Sequence, residues 1–470
     1  MLVNFYLCPM EEKKKISLQS RIRIRLKHIF DSVGNEKLKN NLLQAIPFWI
    51  GSILTGLAAV YYSKIYLLLE NTTSHAFKET PWLLFIMTPA LFLLGWWFVI
   101  RFDPYAKGSG IPQVMAAIEL ATPKNNHKIQ KYLNLRIIVV KMLSSFSMIL
   151  GGGLIGREGP TIQIAGSIFR KVNQWLPAWW PKISKRNMIM TGAAAGLAAA
   201  FNTPLGGIVF AVEELTKTHI SYFKTALFTA VIISGLTAQA LFGPYLYLGY
   251  PGVGNLSVYI FLGVILVAVL GGLAGSFTSR AMLWIMNRKK KLKKRSQQIA
   301  FVLLCGFAVA LMAFFTNPGL IGSGKQLMTT VLFTPEKYLP WYAPLVRIFG
   351  SIFSYSTGAA GGVFAPALAS GASIGSVLSS WMHLSDSDTN LLILSGMVGF
   401  LTGITRTPFT SAILVLEMTD RHSLIFYLML AGMLAGLVST LVDQHSFYDH
   451  LKMQYLKEEG VEVTPAADEV

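Results

Sequence analysis

The sequence predicts an all-α polytopic membrane protein, built as two repeats of opposite orientation. Three observations lead there. The chain of 470 residues is 53% hydrophobic and only 14% charged, where a soluble chain has roughly a quarter of its residues charged, so lipid must face much of it. Apolar stretches long enough to approach or cross a hydrocarbon core of about 30 Å recur from end to end, for example 43–62, 81–100, 258–277 and 424–441. They are continuous rather than alternating, which selects helices over a barrel. Finally, short Gly- and Pro-rich motifs return in the same order after roughly two hundred residues.

Taken in order, residues 1–42 form a basic arm whose Lys13, Lys14, Lys15, Arg21, Arg23, Arg25 and Lys27 place it in the cytoplasm. Its apolar opening, 1–10, is short and is followed by Glu11 and Lys13, so it lacks the order of a cleavable signal peptide. The first repeat occupies 43–242. An uncharged linker, 243–257, reads as extracytoplasmic, and the second repeat occupies 258–450. Within it, seven of the eight residues from Arg288 to Arg295 are basic, which marks the next cytoplasmic turn. A short cytoplasmic tail, 451–470, follows. The first repeat therefore begins inside and the second outside, an inverted-topology arrangement that forms substrate sites near the midplane, where interrupted helices meet. The net charge of +18 sits in loops beside apolar segments, not on the continuous basic face that a nucleic acid requires. Cys8 and Cys305 supply neither a disulfide framework nor a metal spacing, and no cofactor is expected.

Three repeated anchors carry the chemistry. Lys107-Gly-Ser-Gly110 returns as Ile321-Gly-Ser-Gly324, Gly156-Arg-Glu-Gly-Pro160 as Gly361-Gly-Val-Phe-Ala-Pro366, and the segment from Pro204 to Glu213 as that from Pro408 to Glu417. In Gly108-Ser-Gly-Ile-Pro112 a flexible turn precedes a proline suited to the first turn of a helix. Such a start aims free N–H groups and the positive end of the helix dipole at an anion, with the Ser109 hydroxyl as a further donor, or else it is merely a turn. Gly156 to Pro160 has the same design with an acid at the helix start. An intramembrane carboxylate costs about 2.5–3.5 kcal/mol on insertion scales and is a functional candidate by default. Ionised Glu158 would itself fill an anion site and protonated Glu158 would not, which makes it a proton-operated plug; the alternative is a packing pair with Arg157. The third start offers the amides of Val363 and Phe364 without an acid, in an apolar lining that would strengthen amide contacts with a bare anion, or else it is ordinary close helix packing. Glu213 and Glu214 end one apolar run and Glu417 its counterpart, either as proton relays or as interface markers. Tyr448, just beyond the last apolar segment, reads on its own as an interfacial anchor.

These motifs in this order resemble the CLC family of chloride channels and proton-coupled chloride transporters, over residues 45–450. The resemblance implies an inverted-topology fold of tilted, interrupted helices around a midplane anion site. It implies that Ser109 and Tyr448 coordinate the central chloride with the amides of Val363 and Phe364. Glu158 is implied as gate and external proton carrier, and Glu214 as the internal proton-transfer acid. Gly108, Gly110, Pro112, Arg157, Gly159 and Glu213 are expected in support. The implied activity is chloride–proton antiport by a homodimer with one pathway per subunit, in a plasma (bacterial inner) membrane with both termini cytoplasmic. Glu214 favours this over a passive channel, and Ser109 with Tyr448 favours chloride over nitrate or fluoride. Two features depart from the pattern: Gln113 stands where close bacterial relatives carry an acid, with Met115 two residues on, and the tail is too short for paired nucleotide-binding CBS domains. An intramembrane enzyme using Glu213 and Glu214 is the reading from another class, but no HExxH metal site or activated nucleophile accompanies the pair.

Overall fold

The structure, a computed structural model, describes residues 36–216, 224–243 and 246–461. The expected basic arm up to residue 35, parts of the linker and the end of the tail lie outside the described residues. Among those described, the chain is helical with no strand, and eight helices are long and apolar enough to cross a membrane.

The elements of the first half are α1 (Glu36–Glu79), α2 (Leu84–Phe102), α3 (Ile111–Glu119), α4 (Ile129–Tyr132), α5 (Leu135–Leu150), α6 (Glu158–Trp175), α7 (Lys185–Phe201), α8 (Pro204–Phe210) with a π-helical turn (Ala211–Thr216), and α9 (Lys224–Phe242). Those of the second half are α10 (Ile260–Lys290), α11 (Arg295–Phe315), α12 (Lys325–Phe333), α13 (Ala343–Ser356), α14 (Phe364–Trp381), α15 (Asp386–Thr405), α16 (Pro408–Thr419), α17 (Ile425–Val442) and α18 (Phe447–Glu458).

The repeat is visible in the backbone. α3, α5, α6, α7, α8 and α9 return in order as α12, α13, α14, α15, α16 and α17. Gly108 and Gly110 have φ of 62° and 100°, and Gly322 and Gly324 have 77° and 92°. These values lie in the left-handed region that glycine enters without strain. α7 ends on Asn202 at φ 58° and α15 on Arg406 at φ 60°; in each case Thr then Pro start the next helix. The left-handed residue ends one helix and the proline, which lacks an N–H, begins the other.

The halves are also antiparallel. Glu213, beyond the end of α8, accepts from the N–H groups of Phe409 (3.1 Å) and Thr410 (2.7 Å) and from the Thr410 hydroxyl (2.6 Å) at the start of α16. Glu417, near the end of α16, accepts from the N–H groups of Leu205 (3.0 Å) and Gly206 (2.8 Å) at the start of α8. Each acid thus caps the positive end of the other helix, which requires corresponding helices to run in opposite directions. α15 sits at the centre with its apolar window fully buried. Gly371 of α14 and Gly396 of α15 meet backbone to backbone, so a Cβ at either would strike the other's carbonyl group. Such small-residue contacts let membrane helices approach closely.

Candidate anion site

Three helix starts are tied together near the middle of the protein. The N–H of Gly108 donates to Ala359 (2.9 Å) and that of Gly361 to Gly108 (3.1 Å), while Gly156 and Gly362 exchange a pair of bonds at 2.8 and 2.7 Å. The turn before α3 is thereby joined to the start of α14, and α14 to the start of α6. The first N–H groups of a helix have no intrahelical acceptor, so the junction gathers free donors and positive dipole ends in one place.

A buried cation braces each Gly-Ser-Gly turn from behind. Lys141 of α5 donates to the carbonyl of Gly108 (3.0 Å). Arg347, at the matching place in α13, donates to the carbonyls of Leu320, Gly322 and Ser323, each at 3.0 Å. With the carbonyls engaged on this side, the turn presents its remaining polar groups on the other. Gln113 donates from its amide to the carbonyls of Tyr105 (3.2 Å) and Lys107 (2.7 Å). Donation is something a carboxylate cannot do, so this departure from the family pattern has a structural use. Pro112 lies in the first turn of α3 and Met115 is packed in the core.

The expected chloride ligands come together. Ser109 is 1% exposed, its backbone N–H donates to the Tyr355 hydroxyl (3.2 Å), and its side chain touches Gly159, where a Cβ would run into it. The Tyr448 hydroxyl is a neighbour of the Ser109 hydroxyl. Both are buried, and neither makes a well-formed hydrogen bond with any described protein group. A buried hydroxyl without a partner costs about 1–3 kcal/mol, so a pair of them at helix starts implies a ligand. The Tyr448 ring stacks on Phe364, with centroids 6.3 Å apart and planes at 17°. Phe364 in turn meets Phe201 and Phe210, so an aromatic cluster dries this part of the site. Val363 and Phe364 stand at the start of α14, where their N–H groups are among those without an intrahelical acceptor.

Glu158 opens α6 and is 1% exposed. Its carboxylate folds back beside Gly156 and the N–H groups of Glu158 itself and Ala365, with the Tyr247 hydroxyl 3.4 Å from Oε1. It therefore lies at a helix start, where the dipole favours negative charge. Arg157 is buried beneath it, donating to the carbonyl of Ser63 (3.3 Å) with its guanidinium 5.9 Å from the Tyr247 ring centroid. Glu214 is buried in the π-helical turn, within electrostatic reach of Tyr448. Glu213, its sequence neighbour, points instead to the start of α16 as a cap, so the structure separates the two acids.

Sequence reasoning missed Lys141 and Arg347, although each is a charge in the interior of an apolar helix and such residues are functional candidates. It also missed Tyr355 and Tyr247, whose roles arise only from long-range packing and leave no local signal.

Comparison with known proteins gives a consistent result. A family model described as voltage gated chloride channel matches residues 91–440. An H(+)/Cl(-) exchange transporter ClcA from Cronobacter sakazakii is 30% identical over 439 residues, covering 88% of this chain and 90% of that protein. One from Salmonella typhimurium is 30% identical over 438 residues, covering 87% and 88%. Among solved structures, a slow cyanobacterial Cl-/H+ antiporter superposes with a TM-score of 0.76 at 22% identity, covering 89% of this chain and 99% of that one. A CLC-type fluoride/proton antiporter does so with a TM-score of 0.73 at 21% identity, over 89% and 99%. At these identities the two structures bear on the fold alone.

Proposed function

We propose, on the premise that this chain belongs to the voltage-gated chloride channel (CLC) family, that it is a multi-pass membrane protein exchanging chloride for protons. The exchange transporters it matches at 30% identity are aligned over nearly nine-tenths of its length. The single observation that carries the reading is a buried acid, Glu158, lying at joined helix starts beside two neighbouring buried hydroxyls that make no well-formed hydrogen bond with a described protein group.

Chloride is held between the hydroxyls of Ser109 and Tyr448 and the amides of Val363 and Phe364. Fixed donors in a dry setting replace its water without having to reorganise. Ionised Glu158 competes for the same donors. Protonation from outside removes its charge and its claim on them, so the anion path opens as a proton is taken up. Glu214, buried within electrostatic reach of Tyr448, exchanges that proton with the inside. A passive channel would have no use for a second buried acid there. The assigned halves, 43–242 and 258–450, are paired by the caps between α8 and α16. The assembly is a homodimer with a pathway in each subunit, set in a bacterial inner membrane with both termini cytoplasmic, as the loop charge directs. No enzymatic step is assigned.

The test is reconstitution in liposomes under a chloride gradient, recording both ions. The wild-type chain should drive protons uphill, and Glu158→Ala should pass chloride without protons and lose most of its pH response. Uphill proton pumping by a well-folded Glu158→Ala protein would refute the mechanism.

A further inference from the structure

A second basic site lies outside the anion pathway just described. A cavity of about 290 Å³ opens where α2 and α10 end, α11 begins and α18 packs across. Its polar wall carries Lys107, Lys289 and Lys290, and its apolar wall includes Trp96, Ile100 and Leu451.

The three lysines are unusual in their company. The ammonium of Lys107 lies 5.2 Å from the Tyr455 ring centroid, and that of Lys289 lies 6.0 Å from Trp96 and 5.5 Å from Phe301. Lys289 donates to the carbonyls of Ser356 and Thr357, and Lys290 to the side-chain oxygen of Gln454 (2.7 Å). All of these partners are neutral. Among the described residues none of the three lysines is in an ion pair with an acid. Lys107 feels attraction from Glu458, which is not in contact with it, ahead of repulsion from Lys290, and Lys289 is also repelled by Lys107. Three cations crowded on a partly covered wall against one acid, Glu458, that is in contact with none of them leave a net positive charge that an anion would offset.

We propose that this cavity binds the phosphate headgroup of an anionic phospholipid. The chemistry is phosphate because the two free oxygens of a phosphodiester, each with more than one lone pair, can accept from several separate ammonium groups at once. The source is lipid because the floor is apolar and runs onto the outer surface of α2, where Trp97, Ile100 and Phe102 are each exposed to 38–39%. A soluble ion has no use for that surface, whereas an acyl chain does. The site lies at the ends of two membrane-spanning helices beside the basic turn from Arg288 to Arg295, which is the level at which headgroups sit and where basic pockets between helices recognise them. Lys107 immediately precedes the Gly108 turn, and its carbonyl accepts from Gln113 (2.7 Å).

The experiment uses the full chain in nanodiscs of phosphatidylcholine with a trace of labelled phosphatidylglycerol, with bound lipid read by native mass spectrometry. Wild type should enrich phosphatidylglycerol over phosphatidylcholine. Removing one lysine should weaken this about fivefold, and Lys107→Gln with Lys290→Gln about 25-fold, while the corresponding Arg pair retains it. Folding of each variant is checked by monodispersity and does not depend on transport. No enrichment by wild type, or unchanged enrichment by the folded double Gln variant, would overturn the proposal. Inorganic phosphate supplies the other arm. If at millimolar concentration it displaces the lipid and binds as tightly in lipid-free detergent, the occupant is a soluble phosphate and the lipid assignment fails.

Discussion

Glu213 and Glu214 are adjacent in sequence, yet the structure gives them different work, and replacing each separately tests this. Glu213→Ala removes three accepted hydrogen bonds, from Phe409 N–H, Thr410 N–H and the Thr410 hydroxyl. None of the three is fully buried, so the pair at Thr410 counts as a single hydrogen bond to a charged group, about 1.5–3 kcal/mol, and the bond from Phe409 as the lower half of a helix cap, about 0.5–1 kcal/mol. Phe409 is 46% exposed, so its amide can recruit water or headgroups and counts at the low end. The sum is a loss of about 2–4 kcal/mol for Glu213→Ala. Glu213→Gln keeps one acceptor and should lose about half of that. Unfolding in mixed micelles of rising denaturing-detergent content measures the loss, and liposome flux of both ions measures coupling. Folded Glu213→Gln should be less stable and still exchange chloride for protons. Glu214→Gln should be about as stable as wild type, conduct chloride without protons, and keep a response to external pH through Glu158. The reasoning fails if Glu213→Gln is as stable as wild type, or if it folds and no longer moves protons.

Three further outcomes follow from the same geometry. Ser109→Pro removes a hydroxyl donor and the N–H that binds Tyr355, and should weaken the preference for chloride over nitrate roughly tenfold; an unchanged flux ratio in an active variant would count against Ser109 as a ligand. Tyr448→Ala removes both a donor and the ring stacked on Phe364, so central anion binding measured by calorimetry should weaken about tenfold and coupling should loosen, whereas wild-type values would return Tyr448 to an anchoring role. Asp443, beyond the end of α17, supports the segment that carries Tyr448: burial pushes its carboxyl up, but the His445 N–H and the His450 side chain, with Arg406 nearby, bring it below its ordinary value. A depressed carboxyl stabilises the fold above its unfolded pKa and loses that contribution as pH falls through the folded one, so wild type should exceed Asp443→Asn by about 1 kcal/mol near neutral pH, with the gap closing below about pH 4; a gap that persists in stronger acid would show that charge is not its source.

Much of this was legible in the sequence because the repeat is written in residues with rigid backbone consequences. Gly108, Gly110, Gly322 and Gly324 mark left-handed positions, and Pro204 and Pro408 mark helix starts, so order and offset alone identified corresponding elements. Glu158 stood out because a carboxylate in an apolar segment is costly. The rest depended on distance. Glu213 was ambiguous because its partners, Phe409 and Thr410, lie nearly two hundred residues away. Tyr448 resembled an interfacial anchor because nothing near it in sequence reveals that α18 turns it inward against Phe364. Lys141 and Arg347 were conspicuous in composition, but their purpose appears only when the turns they brace are seen to be equivalent.

On the proposed function, that equivalence also explains why one half, and not both, would hold the mobile anion. The turns around Ser109 and Ser323 share their glycine conformations, and each is braced by a buried cation. In the second half the Ser323 N–H donates to the carboxylate of Glu70 at 2.6 Å, so the protein's own α1 supplies the anion for that turn. In the first half the Ser109 N–H meets only the neutral Tyr355 hydroxyl, and the serine side chain has no well-formed partner. The same turn is thus satisfied by a fixed carboxylate on one side and left to an exchangeable ion on the other. The helix starts differ in the complementary sense: Glu158 opens α6, whereas Phe364 opens α14. One half brings a carboxylate that can gain a proton and yield its place, and the other brings the apolar cover that makes such a charge change costly enough to govern the path. Exchange of an anion for a proton as proposed needs both, so on that reading the departures from symmetry, rather than the symmetry, define the transport site.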